Sequence, residues 1–322
     1  MIERKLLLGD EAIALGAIHA GISGVYAYPG TPSTEITEYI QGHAQEVRSR
    51  WCTNEKTAME AALGMSYAGK RALVCMKHVG MNVAADAFVN SAITGVNGGL
   101  VVLAADDPSM HSSQNEQDSR FYGKFAMIPI LEPSTQQEAY DMMKYAYALS
   151  EEKKLPVLLR VVTRLAHSRA GVVVNDLMPQ NALNPDKERT WVLLPAIARR
   201  QYASLVAKQP DLVESSEHSP YNGMNAFEGK AKLGVIACGI GYNYVMENDP
   251  QSLGIPVLKV SQYPLPEASI KALAAQCESL LVAEDGQPLV EEQVKAILGA
   301  DYALKGRLTG DLPRMGELTP DC

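Results

Sequence analysis

Residues 71–106, RALVCMKHVGMNVAADAFVNSAITGVNGGLVVLAAD, decide the fold. The two ends, RALVCM (71–76) and GLVVLAAD (99–106), are short continuous apolar runs of strand length. The middle, VGMNVAADAFVNSAITG (79–95), reads as a helix. Apolar strands that alternate with helices belong to a parallel sheet covered on both faces.

The same rhythm extends outward on both sides. Upstream, Asp10 stands where it can cap the helix DEAIALGAIHA (10–20), and Gly21 and Gly24 lead to the strand VYAY (25–28). Ser33 opens a second helix, RWC (50–52) is a brief strand, and Thr53 caps a third helix that ends at Gly69. Downstream, QQEAYDMMKYAYALSEE (136–152) is an amphipathic helix leading to the buried strand LPVLLRVVT (155–163). The expected fold is α/β, with four parts. Residues 1–165 form a parallel-sheet domain. Residues 166–230, rich in Asn, Pro and charge, form a linker with one helix (194–209). Residues 231–305 hold a smaller, three-strand doubly wound module. Residues 306–322 form an aperiodic tail leading towards a further domain.

Composition excludes several classes. The 322 residues are 47% hydrophobic and 20% charged, which is an ordinary globular balance. A net charge of -8 leaves no basic footprint for nucleic acid or an anionic membrane surface. The five cysteines, at 52, 75, 238, 277 and 322, form no CxxC pair, so no iron–sulfur cluster or cysteine zinc site is expected on this chain. Cys75 and Cys238 read as small buried hydrophobes. The opening MIERKLLLGDEA is too short in apolar residues for a signal peptide, and no stretch reaches the length of a membrane span. A cytoplasmic location is the expectation.

Ligands of open parallel sheets gather beyond the carboxyl ends of the strands. Four loops there carry the unusual polar residues. In YPGTPST (28–34), free N–H groups at a helix start suit a polar ligand, although a plain Pro/Gly turn explains the residues too. Glu55 begins a helix, where the dipole alone accounts for a carboxylate. Lys77 and His78 together end a strand, which suits a carboxylate or enolate as well as it suits a solvated strand end. The stretch 106–120 holds Asp106, Asp107, His111, Glu116, Asp118 and Arg120 and reads as a mobile polar loop over the site. His19, His43 and His218 read as structural or solvent-exposed.

Taken together, YPGTPST (28–34), NEKTAMEAALGMSYAGKRALVCMKHVGMNVAADAF (54–88) and DDPSMHSSQNEQDSRFYGKFAMIPILEPSTQQEAYD (106–141) resemble one family. They look like the pyrimidine-binding domain of thiamine-diphosphate-dependent 2-oxoacid:ferredoxin oxidoreductases. MKHVGMN (76–82) and HSSQNEQDSR (111–120) point to the α subunits that act on indolepyruvate. The resemblance implies a pyrimidine-binding domain over 1–165 and a transketolase-C-terminal-like domain over 231–305. It places Glu55 where the family has the glutamate that hydrogen-bonds the aminopyrimidine N1′ and so promotes removal of the C2 proton. Pro29, Gly30 and Thr31 fall in the family's YP-x-TP loop facing cofactor and substrate. Gly80 and Asn82 fall in the segment that approaches the thiazolium. Thr31, Lys77 and His78 are the expected substrate contacts.

The family's diphosphate motif, GDG or GDIG with a downstream Asn, and its CxxCxxCxxxCP segments have no counterpart in this sequence. Mg²⁺ and [4Fe-4S] clusters are therefore expected on a missing domain or a partner. The implied partners are a chain carrying the diphosphate-binding and ferredoxin-like parts, a β subunit and ferredoxin, in a homo- or hetero-oligomer. The implied reaction is oxidative decarboxylation of an aryl 2-oxoacid with CoA. Two alternatives stay open: a subunit of a non-oxidative 2-oxoacid decarboxylase, or a non-catalytic assembly partner.

Overall fold

The structure, a computed structural model, describes residues 3–185 and 191–322. Met1 and Ile2 of the opening segment, and 186–190 of the expected linker, lie outside the described residues. The chain divides into two compact units, one of residues 1–107 and 119–209 and one of residues 108–118 and 210–322.

The first unit begins with β1 (Arg4–Leu8), α1 (Gly9–His19), β2 (Gly24–Ala27), α2 (Thr34–His43), β3 (Arg48–Trp51) and α3 (Glu55–Tyr67). It continues with β4 (Ala72–Lys77), α4 (His78–Thr94), β5 (Leu100–Asp106), α5 (Arg120–Ala126), β6 (Ile130–Leu131), α6 (Gln136–Lys153) and β7 (Val157–Val162). It closes with α7 (Thr163–Ala166), β8 (Arg169–Val173) and α8 (Pro195–Ala207). Strands in the order β6-β7-β5-β4-β2-β3 form a parallel sheet. The register Leu73↔Val101 and Leu103↔Leu159 puts the three longest apolar runs side by side. Every residue from Leu100 to Asp106 is buried, as a strand covered on both faces requires.

Local details depart from the sequence expectation. Asp10 does not cap α1; it lies inside the first turn, and the cap position is Leu8, whose N–H donates to Glu11 Oε2 at 2.8 Å. Ser33 does stand at the cap position of α2, but its side chain makes no cap bond: its hydroxyl donates to the Gly30 carbonyl at 2.8 Å. The cap of α3 is Asn54 rather than Thr53, because the Asn54 side chain accepts from the Thr57 N–H at 2.9 Å. Part of the expected linker is structured, since β8 pairs antiparallel with β1, Leu6 opposite Gly171. The backbone after β8 stays on this unit: the Met178 N–H donates to His19 O at 2.8 Å and the Asn184 N–H to Ala68 O at 2.9 Å. These are contacts of main chain with main chain, so composition carried no trace of them.

The stretch 106–120 is largely not a loose loop. Asp106, Asp107, Asp118 and Arg120 are buried. In the first unit, Arg160 on β7 meets Asp106 at 2.6 Å and also pairs with Glu132, which faces Arg120 at 3.7 Å. The Ser119 N–H adds a bond to Asp106 at 3.0 Å. Two guanidinium groups and two carboxylates therefore balance in a site without water access. In the second unit, Asp118 accepts from the Gln287 N–H at 3.0 Å and Ser109 Oγ from the Glu317 N–H at 2.8 Å.

The second unit contains α9 (Gln209–Glu217), a helix where the sequence reads as loop from 214 onward, and β9 (Gly223–Met224). Its further elements are β10 (Ala231–Cys238), α10 (Gly241–Glu247), β11 (Val257–Val260), β12 (Gln262–Tyr263), α11 (Glu267–Ala274), β13 (Cys277–Ala283), α12 (Leu289–Leu298) and β14 (Ala303–Lys305). The sheet order β14-β13-β10-β11-β9 adds two short edge strands to the expected three, and β9 runs antiparallel. The tail from 306 is folded onto this unit. Arg307, only 1% exposed, donates to the carbonyls of Glu284, Pro313 and Gly316, and the Leu318 N–H reaches Asp285 at 3.0 Å.

Candidate functional site

β3, β2 and β4 are adjacent parallel strands, so the segments that leave their carboxyl ends are neighbours. These are the loop 28–33, the turn before α3, and the junction of β4 with α4. The sheet thus assembles the predicted residues from three separate stretches of sequence.

Glu55 is the first residue of α3, half-buried, and its carboxylate lies against Gly80 in the first turn of α4. A Cβ on residue 80 would stand 2.7 Å from Glu55 Cγ and 2.8 Å from Oε1, closer than atoms approach. Only glycine leaves room for the carboxylate there. Gly30 plays a milder version of the same part: a Cβ would come 3.1 Å from Lys77 Cδ. Both glycines therefore seat side chains, which their sequence reading as cofactor contacts did not anticipate.

Lys77 is the last residue of β4 and His78 the first of α4, with no residue between strand and helix. His78 is fully buried and Lys77 partly so. Pro29 and Thr31 are exposed on the loop, where the Gly30 N–H donates to Thr34 Oγ1 at 2.9 Å. The Thr31–Pro32 peptide bond is cis. Asn82 is exposed on α4, and the Tyr122 hydroxyl of α5 donates to its side-chain oxygen. Tyr122 is a neighbour that the sequence reading missed; among the aromatics of RFYGKFA nothing singles it out. Arg160 was missed as well, although a lone arginine in the apolar strand VLLRVV is a visible signal.

The other histidines stay outside this cluster. His19 Nδ1 lies 2.6 Å from the Tyr140 hydroxyl, His43 stacks on Tyr39, and His218 bonds the Glu214 carbonyl. Cys75 and Cys238 are buried, and burial pushes the Cys75 thiol up, away from any nucleophilic role. No helix among the described residues is long and apolar enough to cross a membrane.

Polar side chains gathered at the carboxyl edge of a parallel α/β sheet mark a ligand-binding domain, and the comparisons with known proteins name its class. Residues 15–211 match the family described as pyruvate flavodoxin/ferredoxin oxidoreductase, thiamine diphosphate-binding, and the chain belongs to that family. Among curated relatives, the indolepyruvate oxidoreductase subunit IorA of Archaeoglobus fulgidus is 43% identical, covering 97% of this chain and 51% of its own. The subunit of the same name from Methanothermobacter thermautotrophicus is 40% identical over 99% of this chain and 53% of its own. The chain spans about half the length of the curated relatives it matches. The fold is shared with a 2-oxoglutarate:ferredoxin oxidoreductase from Magnetococcus marinus, with a TM-score of 0.79 at 17% identity, covering 99% of this chain and 64% of that one. A split-gene transketolase, described as an inactive β4 tetramer, aligns with a TM-score of 0.59 at 13% identity over 93% of this chain and 86% of its own.

The residues present fit thiamine diphosphate on one point of geometry. A carboxylate seated in the space left by a missing Cβ is the hydrogen-bond acceptor that a protonated ring nitrogen needs.

Proposed function

We propose that this chain supplies the pyrimidine-binding half of a thiamine-diphosphate site in an enzyme that oxidatively decarboxylates an aryl 2-oxoacid of the indolepyruvate type, with CoA and ferredoxin. The observation that carries the reading is Glu55 seated over Gly80 beside the Lys77–His78 junction. The names of the IorA relatives support the substrate class.

Glu55 would hold a proton between its Oε1 and N1′ of the pyrimidine. Gly80 and Asn82 on α4 would approach the thiazolium side of the cofactor, and Pro29, Gly30 and Thr31 on the loop would face cofactor and substrate. The bound cofactor supplies a carbon nucleophile for the keto group and a sink for the electrons released by loss of CO₂. Lys77 would hold the substrate carboxylate through its ammonium, and His78 would donate a ring N–H to the keto oxygen. Thr31 would face the same space from the exposed loop. The diphosphate, its Mg²⁺ and the [4Fe-4S] clusters belong to a partner or to a further domain, and a β subunit and ferredoxin complete the assembly. On its own this chain would not turn over.

Calorimetry of thiamine diphosphate with Mg²⁺, on this chain alone and mixed with its diphosphate-domain partner, tests the reading. Binding with the partner present supports it. No heat in either case overturns it. Glu55→Gln in the assembled enzyme should slow exchange of the cofactor C2 proton by about 100-fold or more. An unchanged exchange rate would remove Glu55 from its role at N1′.

A further inference from the structure

A second group of chemistry-bearing side chains lies in the first unit, on residues that the thiamine reading does not use. Asp10 from the first turn of α1, Glu35 from the first turn of α2 and His167 after α7 each bring one donor atom within 4.8 Å of the others. The fold assembles them from three distant stretches. Gly9 makes the approach possible: its missing side chain lets the start of α1 rest on the Leu165 carbonyl, and its N–H donates to Ser168 O at 3.2 Å.

Asp10 is the decisive residue. It is 0% exposed, and neither of its carboxylate oxygens has a hydrogen-bond partner among the described residues. Burying a carboxylate without a donor is costly, and native proteins normally meet that cost with a paired group or a metal. Glu35 Oε2 is likewise buried without a hydrogen bond. His167 Nε2 lies 3.8 Å from Asp10 Oδ2 and 3.8 Å from Glu35 Oε1. That is too long for a hydrogen bond. It is near the spacing of two donors around one cation: bonds of about 2.1 Å at a tetrahedral centre put donors roughly 3.4 Å apart. A shift of a few tenths of an ångström would complete the set.

We infer that Asp10, Glu35 and His167 form a three-ligand site for a first-row divalent cation, with Zn²⁺ the best fit. One imidazole and two carboxylates with a fourth position left to water is a ligand set that zinc accepts. The helix N-termini of α1 and α2 oppose a cation with about half a positive charge each. Two carboxylates outweigh them, so the metal-loaded site carries a net charge near +1 rather than +2 or more. The Glu35 and His167 side chains are 39% and 35% exposed, which provides a way in, while Asp10 forms the floor. None of the three ligands is a residue of the thiamine reading, and the inference does not depend on that reading.

The test titrates the full chain with Zn²⁺ in competition with a chromophoric chelator, and repeats the titration on Asp10→Asn and His167→Gln. Asparagine keeps the shape of Asp10, and His167 is partly exposed, so circular dichroism should report both variants folded. The expected result is one equivalent of Zn²⁺ on the wild type, an affinity lower by more than about 100-fold in each variant, and a zinc-dependent rise in melting temperature only in the wild type. Co²⁺ substituted into the wild type should show no thiolate charge-transfer band, since the partly exposed Cys52 and Cys277 and the exposed Cys322 are the competing ligands. Absence of a bound equivalent, equal affinity in the variants or a thiolate band would each overturn the assignment.

Discussion

At the scale of single residues, the site rests on what glycine omits. Gly80→Ala places a methyl group 2.8 Å from Glu55 Oε1, so the carboxylate must swing aside. Alanine is about 1 kcal/mol better than glycine in a helix, which offsets much of the crowding in the folded chain. The expected outcome is a melting free energy within about 1 kcal/mol of wild type, with thiamine diphosphate affinity in the assembled enzyme down by tenfold or more. Denaturant melts and calorimetry read the two separately. Lys77→Met and His78→Gln should raise KM for arylpyruvates while leaving cofactor affinity intact. Steady-state constants that do not move for any arylpyruvate would remove both residues from the substrate pocket.

At the scale of elements, two ion-paired clusters tie the sheet to its surroundings. Arg160 on β7 serves Asp106 and Glu132 at once, all of them buried. Arg160→Met leaves two carboxylates without their main cation and should cost about 3–5 kcal/mol of unfolding free energy. Glu151 near the end of α6 accepts from Arg71, just before β4, through two bonds of 2.8 Å. Burial alone would raise its carboxyl, but the bonds from Arg71 and Asn181 more than offset that and hold it below the usual value of 4.5. Its stabilisation is therefore fully present above about pH 4.5 and is lost as the pH falls through the lowered value. The difference in melting temperature between wild type and Glu151→Gln should follow that curve and vanish in acid.

The central strands of the first unit were legible in the sequence because RALVCM, GLVVLAAD and LPVLLRVVT are almost continuously apolar runs that a covered sheet buries. The loops holding Glu55, Thr31 and Lys77 were legible because each follows a strand, RWC, VYAY and RALVCM in turn. Other features were hidden for physical reasons. The caps of α1, α2 and α3 depend on which side chain wins a local competition, and neighbours one or two residues apart are chemically alike. The tail owes its order to Arg307 reaching three carbonyls, and backbone carbonyls leave no mark in composition. The Asp10, Glu35 and His167 group joins segments whose proximity only the folded sheet creates.

At the scale of the whole molecule, the two units differ in how they hold themselves together. The first has a wide sheet whose central strands are buried on both faces. The second has short edge strands and relies on the tail for closure. Arg307→Met should lower the stability of the second unit alone, seen as an earlier loss of protection in hydrogen exchange for β10 and β13 with β4 and β5 unchanged. The exposed Phe121 and Phe125 lie on α5 beside Tyr122 and leave an apolar surface there.

The direct passage from β4 to α4 has a further consequence for how such a site changes over generations. A connection of zero residues has no slack: an insertion there would rotate the start of α4 and carry Gly80 away from Glu55. On the proposed role of Lys77 and His78, lineages that turn to another acid would do so by exchanging those two side chains in place. Their genes should record that history as point substitutions at these codons, with the count of residues from 77 to 80 held constant.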